Sequence, residues 1–412
     1  MGNEPHTLWQ ATMQINEPNK HMKNTLSFSL FNLGFRIFFL FAGIIAVASI
    51  AMWTAIFQYN YSLSFDLLSS SQWHAHEMIY GYSLAVISGF LLTAVKNWTG
   101  VQTVTGKLLA FVFSLWVIAR LLFIFGDQYL KLAAVFDILF AGVLLLAVAY
   151  PVIKVKQWNQ SLILVILILL GIFNALFYLG ALGIVNDGLR WGIYGGLYTV
   201  ISLILIMGRR VIPFFIERGV GYEVKLFNSK WVDIVIIILL SGFILSELFI
   251  SNPIYYAAFS LGLFIINFIR LIGWHTKGIW NKSMLWSIYI ACWFISLGFL
   301  LMAVSYYSGG VKSLAIHAFT IGGIGLMTMG MMSRVALGHT GRDVSTPPKI
   351  ISYSLGILVV GGLVRVALPL VDSGNTVLWI GISQILWIAA FLIFTVTYFP
   401  ILSKPRIDNQ PG

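Results

Sequence analysis

Trp73-His74-Ala75-His76-Glu77-Met78-Ile79-Tyr80-Gly81-Tyr82 opens an apolar run that continues to Val95. It places two imidazoles, a carboxylate, a thioether and two phenols in the first turns of a segment long enough to cross a bilayer. About 20 residues of helix span roughly 30 Å of hydrocarbon, and a helix satisfies its own backbone hydrogen bonds there. Ionisable side chains are costly at that depth, so each one found in a span is a candidate functional group. The stretch therefore points to a helical membrane fold that carries its chemistry inside the bundle.

The rest of the chain repeats the apolar pattern. Of 412 residues, 59% are hydrophobic and 9% charged, against about a quarter charged in an ordinary soluble chain. Twelve helices are expected, over 33–57, 73–95, 108–126, 130–153, 161–184, 190–210, 231–250, 254–274, 283–305, 312–337, 350–371 and 376–402. They form one transmembrane domain over 31–403, between polar tails at 1–30 and 404–412. Pro151, Pro213, the Pro347-Pro348 pair and Pro400 are expected at helix ends, where proline most easily ends a helix. The opening residues lack a signal-peptide pattern, so the first apolar run is the expected membrane-entry signal.

The net charge of +11 is not a nucleic-acid footprint. Nineteen Lys and Arg fall in the tails and even-numbered loops, and the opposite face carries only Lys131, Arg190 and Lys312. This bias places both termini in the cytoplasm. His74, His76, Glu77, His317, Arg120, Arg365, Asp137 and Glu247 then fall toward the outer face, and His275 and His339 toward the cytoplasm. His317 and His339 are 22 residues apart, about 33 Å along a helix, too far for one compact site. The lone Cys292 permits no internal disulfide, and no Cys-x-x-Cys-His occurs, so any haem would be held non-covalently.

An internal repeat is also expected. Sliding the second span onto the tenth without gaps aligns His76 with His317, Gly81 with Gly322, Gly89 with Gly330, and Thr99-Gly100 with Thr340-Gly341. After a four-residue insertion Arg120 meets Arg365. The sixth span, with Tyr194, Tyr198 and Gly208-Arg209-Arg210, reads as a third, degenerate copy of a four-helix unit.

Residues two apart on a helix do not face each other, whereas those three or four apart do. His74 therefore groups with Glu77 and Met78, and His76 with Tyr80. His76 and His317, aligned and at equal expected depth, are the candidate axial pair for one haem, which Gly81 and Gly322 would let approach the backbone. Arg120 and Arg365 suit haem propionates, or else Glu77, Asp137 and Glu247. The bland alternative is that these groups only hydrogen-bond helices together. His275, next to Trp274 at a helix end, reads as an interfacial residue, and His6 and His21 as solvated tail residues. Met327, Met329, Met331 and Met332 could hold soft copper, although such a run more often simply packs.

These residues resemble the NnrS family of bacterial inner-membrane proteins. The carriers are His74-Ala-His-Glu-Met with the following Gly-Tyr, Gly89-Phe-Leu-Leu-Thr-Ala-Val with Asn97-Trp-Thr-Gly, Arg120-Leu-Leu, and the long motif from His317 through Gly325-Leu-Met-Thr, Met-Met-Ser-Arg334 and His339-Thr-Gly-Arg342. Lys96 departs from the pattern, since such sequences often have proline after the valine. The resemblance implies a multi-pass inner-membrane protein with haem b, and copper as a second metal. It also implies a link to nitric oxide metabolism, denitrification and nitrosative stress, with an oxidoreductase activity like that of nitric oxide reductases. The haem ligands are to be sought among His74, His76, His317, His339 and His275. Cofactor contacts are expected from Arg120, Arg365, Arg334 and Tyr80, and catalytic roles from Glu77 and His74. Three four-helix units also resemble the catalytic subunit of haem-copper oxidases, though the histidines of its sixth and seventh helices are missing here. The expected partners are nitric oxide, membrane lipids and an electron donor that the residues do not identify. Two other readings are a transporter of copper, haem or a small metabolite, and a non-catalytic NO sensor or metal-protecting protein.

Overall fold

The computed structural model describes residues 29–61, 66–250, 252–408 and 410. Among them are twelve helices of membrane-spanning length and apolarity. They are α1 Gly34–Tyr59, α2 Ser70–Thr99, α3 Gly106–Ile124, α4 Asp127–Lys154, α5 Trp158–Ala181, α6 Gly188–Gly219, α7 Lys230–Phe249, α8 Pro253–Trp274, α9 Ser283–Val304, α10 Val311–His339, α11 Lys349–Val371 and α12 Ser373–Ser403. No strand occurs among the described residues. The chain is thus an all-α, multi-pass membrane protein. His6 and His21 lie outside the described residues.

Consecutive helices pack as antiparallel neighbours, and α12 returns to pack along α1. The two spans richest in polar groups are also the most enclosed. In α2, 89% of the most apolar window is buried, and in α10 72%, against 28% in α4. Their ionisable residues therefore face protein, as the high cost of charge in hydrocarbon demands.

Two helices run differently from their sequence reading. A capping box starts α2 one turn early: Ser69 Oγ accepts from Gln72 N at 3.2 Å while Gln72 Oε1 accepts from Ser69 N at 2.8 Å. His74 is consequently inside the helix and not ahead of it. Pro213 does not end α6, which runs on to Gly219. Proline removes only one helical hydrogen bond, and the packing of buried Ile212, Pro213 and Ile216 maintains the helix past it.

Both α2 and α10 contain a π-helical segment, at Glu77–Ser83 and Ala318–Gly325. Each begins one residue after the aligned histidine, His76 or His317. In α2 the Leu84 N–H bonds to the Ile79 carbonyl five residues back, and Ser83 Oγ donates to the Met78 carbonyl at 2.8 Å. The wider turn rotates the side chains that precede it relative to those that follow, and such segments recur at functional sites.

The ends of the bundle are tied by charge. At the end holding the described termini, Arg36 donates to the carbonyls of Leu402 and Lys404 at 2.8 and 2.7 Å. Asp233 joins three helices there by accepting from Arg209 at 2.6 Å and Arg270 at 3.0 Å. At the opposite, distal end Glu247 pairs with Lys312 at 2.7 Å and with Arg190.

Candidate functional site: two aligned histidines in different surroundings

His76 is fully buried and enclosed by Tyr80, Phe123, Phe177 and Tyr178, with ring centroids 4.3–5.2 Å away. Its Nδ1 lies 3.3 Å from Glu77 Oε1, and its Nε2 lies 3.0 Å from Asn174 Oδ1 and 3.5 Å from Asp137 Oδ2. Arg120 completes the cluster, donating to Glu77 at 2.6 Å and to Asp137 at 2.5 Å. The Tyr178 hydroxyl donates to Asp137 at 3.0 Å. Of the partners the sequence left open for Arg120, these are Glu77 and Asp137, and not Glu247. One guanidinium neutralises two carboxylates in a dry interior, where an unmatched charge would cost several kcal/mol.

His317 sits at the aligned position but against a cavity of about 950 Å³ at the distal end. His74, Arg365, Lys312, Arg190 and Gln384 line the same space, among mostly apolar side chains. His317 Nδ1 donates to the Ser313 carbonyl at 2.7 Å. That bond fixes the tautomer whose Nε2 carries the lone pair, and Nε2 accepts from Arg365 at 3.3 Å. The His74 ring lies flat on Trp53, with centroids 4.7 Å apart and planes 9° apart, and its buried Nδ1 makes no hydrogen bond. Arg365 is 6% exposed and forms no ion pair with a described carboxylate; its contacts are His317 and, at 3.5 Å, Ser313 Oγ.

The structure therefore does not bring His76 and His317 together. Both nitrogens of His76 already face oxygen atoms of Glu77, Asn174 and Asp137, and its neighbours belong to α3, α4 and α5. The pair that shares a cavity is His74 and His317. Glu77 does not line the cavity with His74; its carboxylate is held by Arg120 instead. Tyr80 points away from the cavity and donates to the Gly192 carbonyl at 2.7 Å.

The two aligned glycines are also used by protein. A Cβ at Gly81 would lie 3.1 Å from Glu77 Oε2 and 3.3 Å from an Arg120 nitrogen, so its absence makes room for that ion pair. The space beside Gly322 is filled by the Phe294 ring. Neither glycine lines the cavity.

The other candidates lie at the terminal end. The His339 ring packs 5.6 Å from Phe35. His275 is exposed and accepts from Trp280 Nε1 at 3.2 Å. The Arg334 guanidinium stacks 3.8 Å over Phe215. Met327, Met329 and Met332 are buried in the core. Among the described residues no three His, Cys, Asp or Glu side chains converge as a metal site.

The family model described as NnrS protein matches residues 29–406. The chain belongs to the NnrS family. No curated protein matches it. Membership ties this NnrS-family membrane protein to nitric oxide in general terms. Sequence reasoning missed Asn174 and Tyr178 in this NnrS chain, although a polar pair four apart in an otherwise apolar span was a readable signal of a shared buried face. It also missed Trp53 and Gln384, which have no motif around them and are recruited by tertiary packing alone.

Proposed function

We propose that this protein binds haem b in the distal cavity and uses it to bind and turn over nitric oxide. The observation that carries the reading is the cavity itself: two imidazoles and an uncompensated, buried guanidinium around one largely apolar space. Its volume falls within the range of ordinary cofactor sites. His74 and His317 would hold the group, and Arg365 would meet a propionate. A buried arginine without a counter-ion needs an anionic partner, and the Nδ1–H bond to Ser313 is the second contact that typically orients a ligating histidine. Haem supplies an iron centre that binds NO and exchanges electrons. Copper finds no comparable donor set among the described residues.

The protein's own contribution is orientation and the exclusion of water. Trp53 fixes the plane of His74, and Ser313 fixes the tautomer of His317. Nitric oxide is small, neutral and lipid-soluble, so it needs no hydrophilic channel. Reduction of two NO to N2O and water consumes two electrons from an external donor and two protons. Glu77 and Asp137 are occupied by Arg120 and stand apart from the cavity, so a proton path would start at Asp187, which lines it. With both termini in the cytoplasm of a bacterial inner membrane, the cavity would open toward the outer face.

The test is an optical spectrum and a turnover assay on protein purified from haem-sufficient cells. A Soret band that shifts with NO, together with N2O release under a reductant, is expected. A colourless, iron-free protein would overturn haem binding. A haem-loaded protein that shifts with NO but releases no N2O would overturn turnover and leave sensing.

A further inference from the structure

A second cavity, of about 520 Å³, lies at the terminal end of the bundle. Arg218, Lys282, Arg334 and Lys349 line it, and none of the four forms an ion pair with a described carboxylate. Most described lysines and arginines likewise lack an ion pair, so what sets these four apart is that they share one concave space. Asp233, Glu247, Glu77 and Asp137 are each matched to arginine or lysine.

The carboxylate that does line the cavity, Asp343, is occupied by its own loop. It accepts from Ser345 N at 2.8 Å, Ser345 Oγ at 2.6 Å and Thr346 Oγ1 at 2.9 Å. Four cations therefore surround the space with one carboxylate, which takes its hydrogen bonds from its own loop and feels the charge of Lys282 without forming an ion pair with it. Arg334 is held in place by its stack on Phe215, so its charge is pre-positioned and does not wave in solvent.

The backbone adds to the same field. Helices α9 and α11 both begin at this cavity, at Ser283 and Lys349, and neither has a side-chain cap. The first N–H groups of a helix lack partners within it, and they favour an anion. The hydroxyl of Ser283 also lines the space. Two uncapped helix starts and four cations without an ion pair thus converge on one concave site.

We infer that this cavity binds a phosphate group through Arg218, Lys282, Arg334 and Lys349. Cationic forks and bare N–H groups suit phosphate oxygens, and basic pockets between membrane helices suit lipid phosphates equally. A free anion and an anionic phospholipid headgroup present the same phosphate chemistry, and the experiment separates these sources. The site is independent of the histidine cavity and holds whether or not haem is bound there.

The test uses the full chain in phosphatidylcholine nanodiscs. One arm titrates inorganic phosphate by calorimetry. The other adds phosphatidylglycerol to the discs and reads retained lipid by native mass spectrometry. Binding in either arm supports the site and names its source. Lys349→Gln removes an exposed charge and should weaken binding about fivefold, and Lys282→Gln/Arg334→Gln roughly 25-fold, at about one charge's worth of attraction each. Lys277→Gln, outside the cavity, should bind as the wild type does. If the double variant fails to fold, Lys349→Gln and a salt titration of the wild type carry the decision, since screening weakens such binding. Binding in neither arm, or wild-type binding by Lys349→Gln and no response to salt, overturns the proposal.

Discussion

Two arginines at aligned positions, Arg120 on α3 and Arg365 on α11, have opposite surroundings. Arg120 is charge-matched: Glu77 and Asp137 take its charge, His76 lies against Glu77 and Asn174, and Tyr178 donates to Asp137, although the Arg120 Nε itself makes no hydrogen bond. Arg365 has one imidazole and one hydroxyl. The sequence difference beside them is small. The residue after His76 is Glu77, and the residue after His317 is Ala318. Where the carboxylate is present the helices close around a charge-matched core. Where it is missing the arginine faces a cavity and retains its need for an anion. One histidine–arginine arrangement thus serves as structure in one region and as a candidate binding site in the other.

This contrast can be broken most sharply at the arginines. Arg120→Ala should strand two buried carboxylates and cost about 3–5 kcal/mol, read as loss of folded protein in detergent or as a lowered unfolding midpoint. Arg365→Ala should leave the midpoint nearly unchanged, since no carboxylate depends on it. Equal losses for the two would remove the distinction between a closed and an open site.

Next in size is a crossed result at the histidines. His317→Ala and His74→Ala should each lower the Soret absorbance per folded molecule about tenfold or more, while folded yield holds. His76→Ala should do the reverse, reducing folded yield with the spectrum per folded molecule unchanged. A lost Soret band in folded His76→Ala protein would restore His76 as a ligand.

Tyr178→Phe should cost about 1.5–3 kcal/mol, because it deletes a hydrogen bond to a buried carboxylate. A chemical unfolding curve checks this, and no change would mean that Arg120 alone satisfies Asp137. Gly81→Ala should show the smallest effect, about 1–3 kcal/mol from pressing a methyl group against the Arg120–Glu77 pair. An unchanged stability there would show that the pair can shift without loss.

The sequence carried the architecture far. Twelve spans were legible because membrane helices must be long, apolar and internally hydrogen-bonded, and the observed ones fall close to the expected limits. The early start of α2 was readable in Ser69 and Gln72, and was missed because the apolar run begins later. The persistence of α6 past Pro213 was not readable, since it depends on what Ile212 and Ile216 pack against. The segregation of His74 from His76 followed from helical spacing alone.

What only the tertiary structure decided is which histidine each arginine joins. Spacing along α2 says that His74 and His76 face different sides, but not which side is filled. Asn174 and Tyr178, about a hundred residues away, close one side, and Trp53, Arg365 and His317 leave the other open. The reason is physical: a helix fixes the direction of a side chain, whereas the charge and volume that meet it come from neighbours distant in sequence. The sequence by itself therefore determined a twelve-helix membrane bundle with polar groups inside, and the three-dimensional packing determined that His317 shares its cavity with His74 and not with His76.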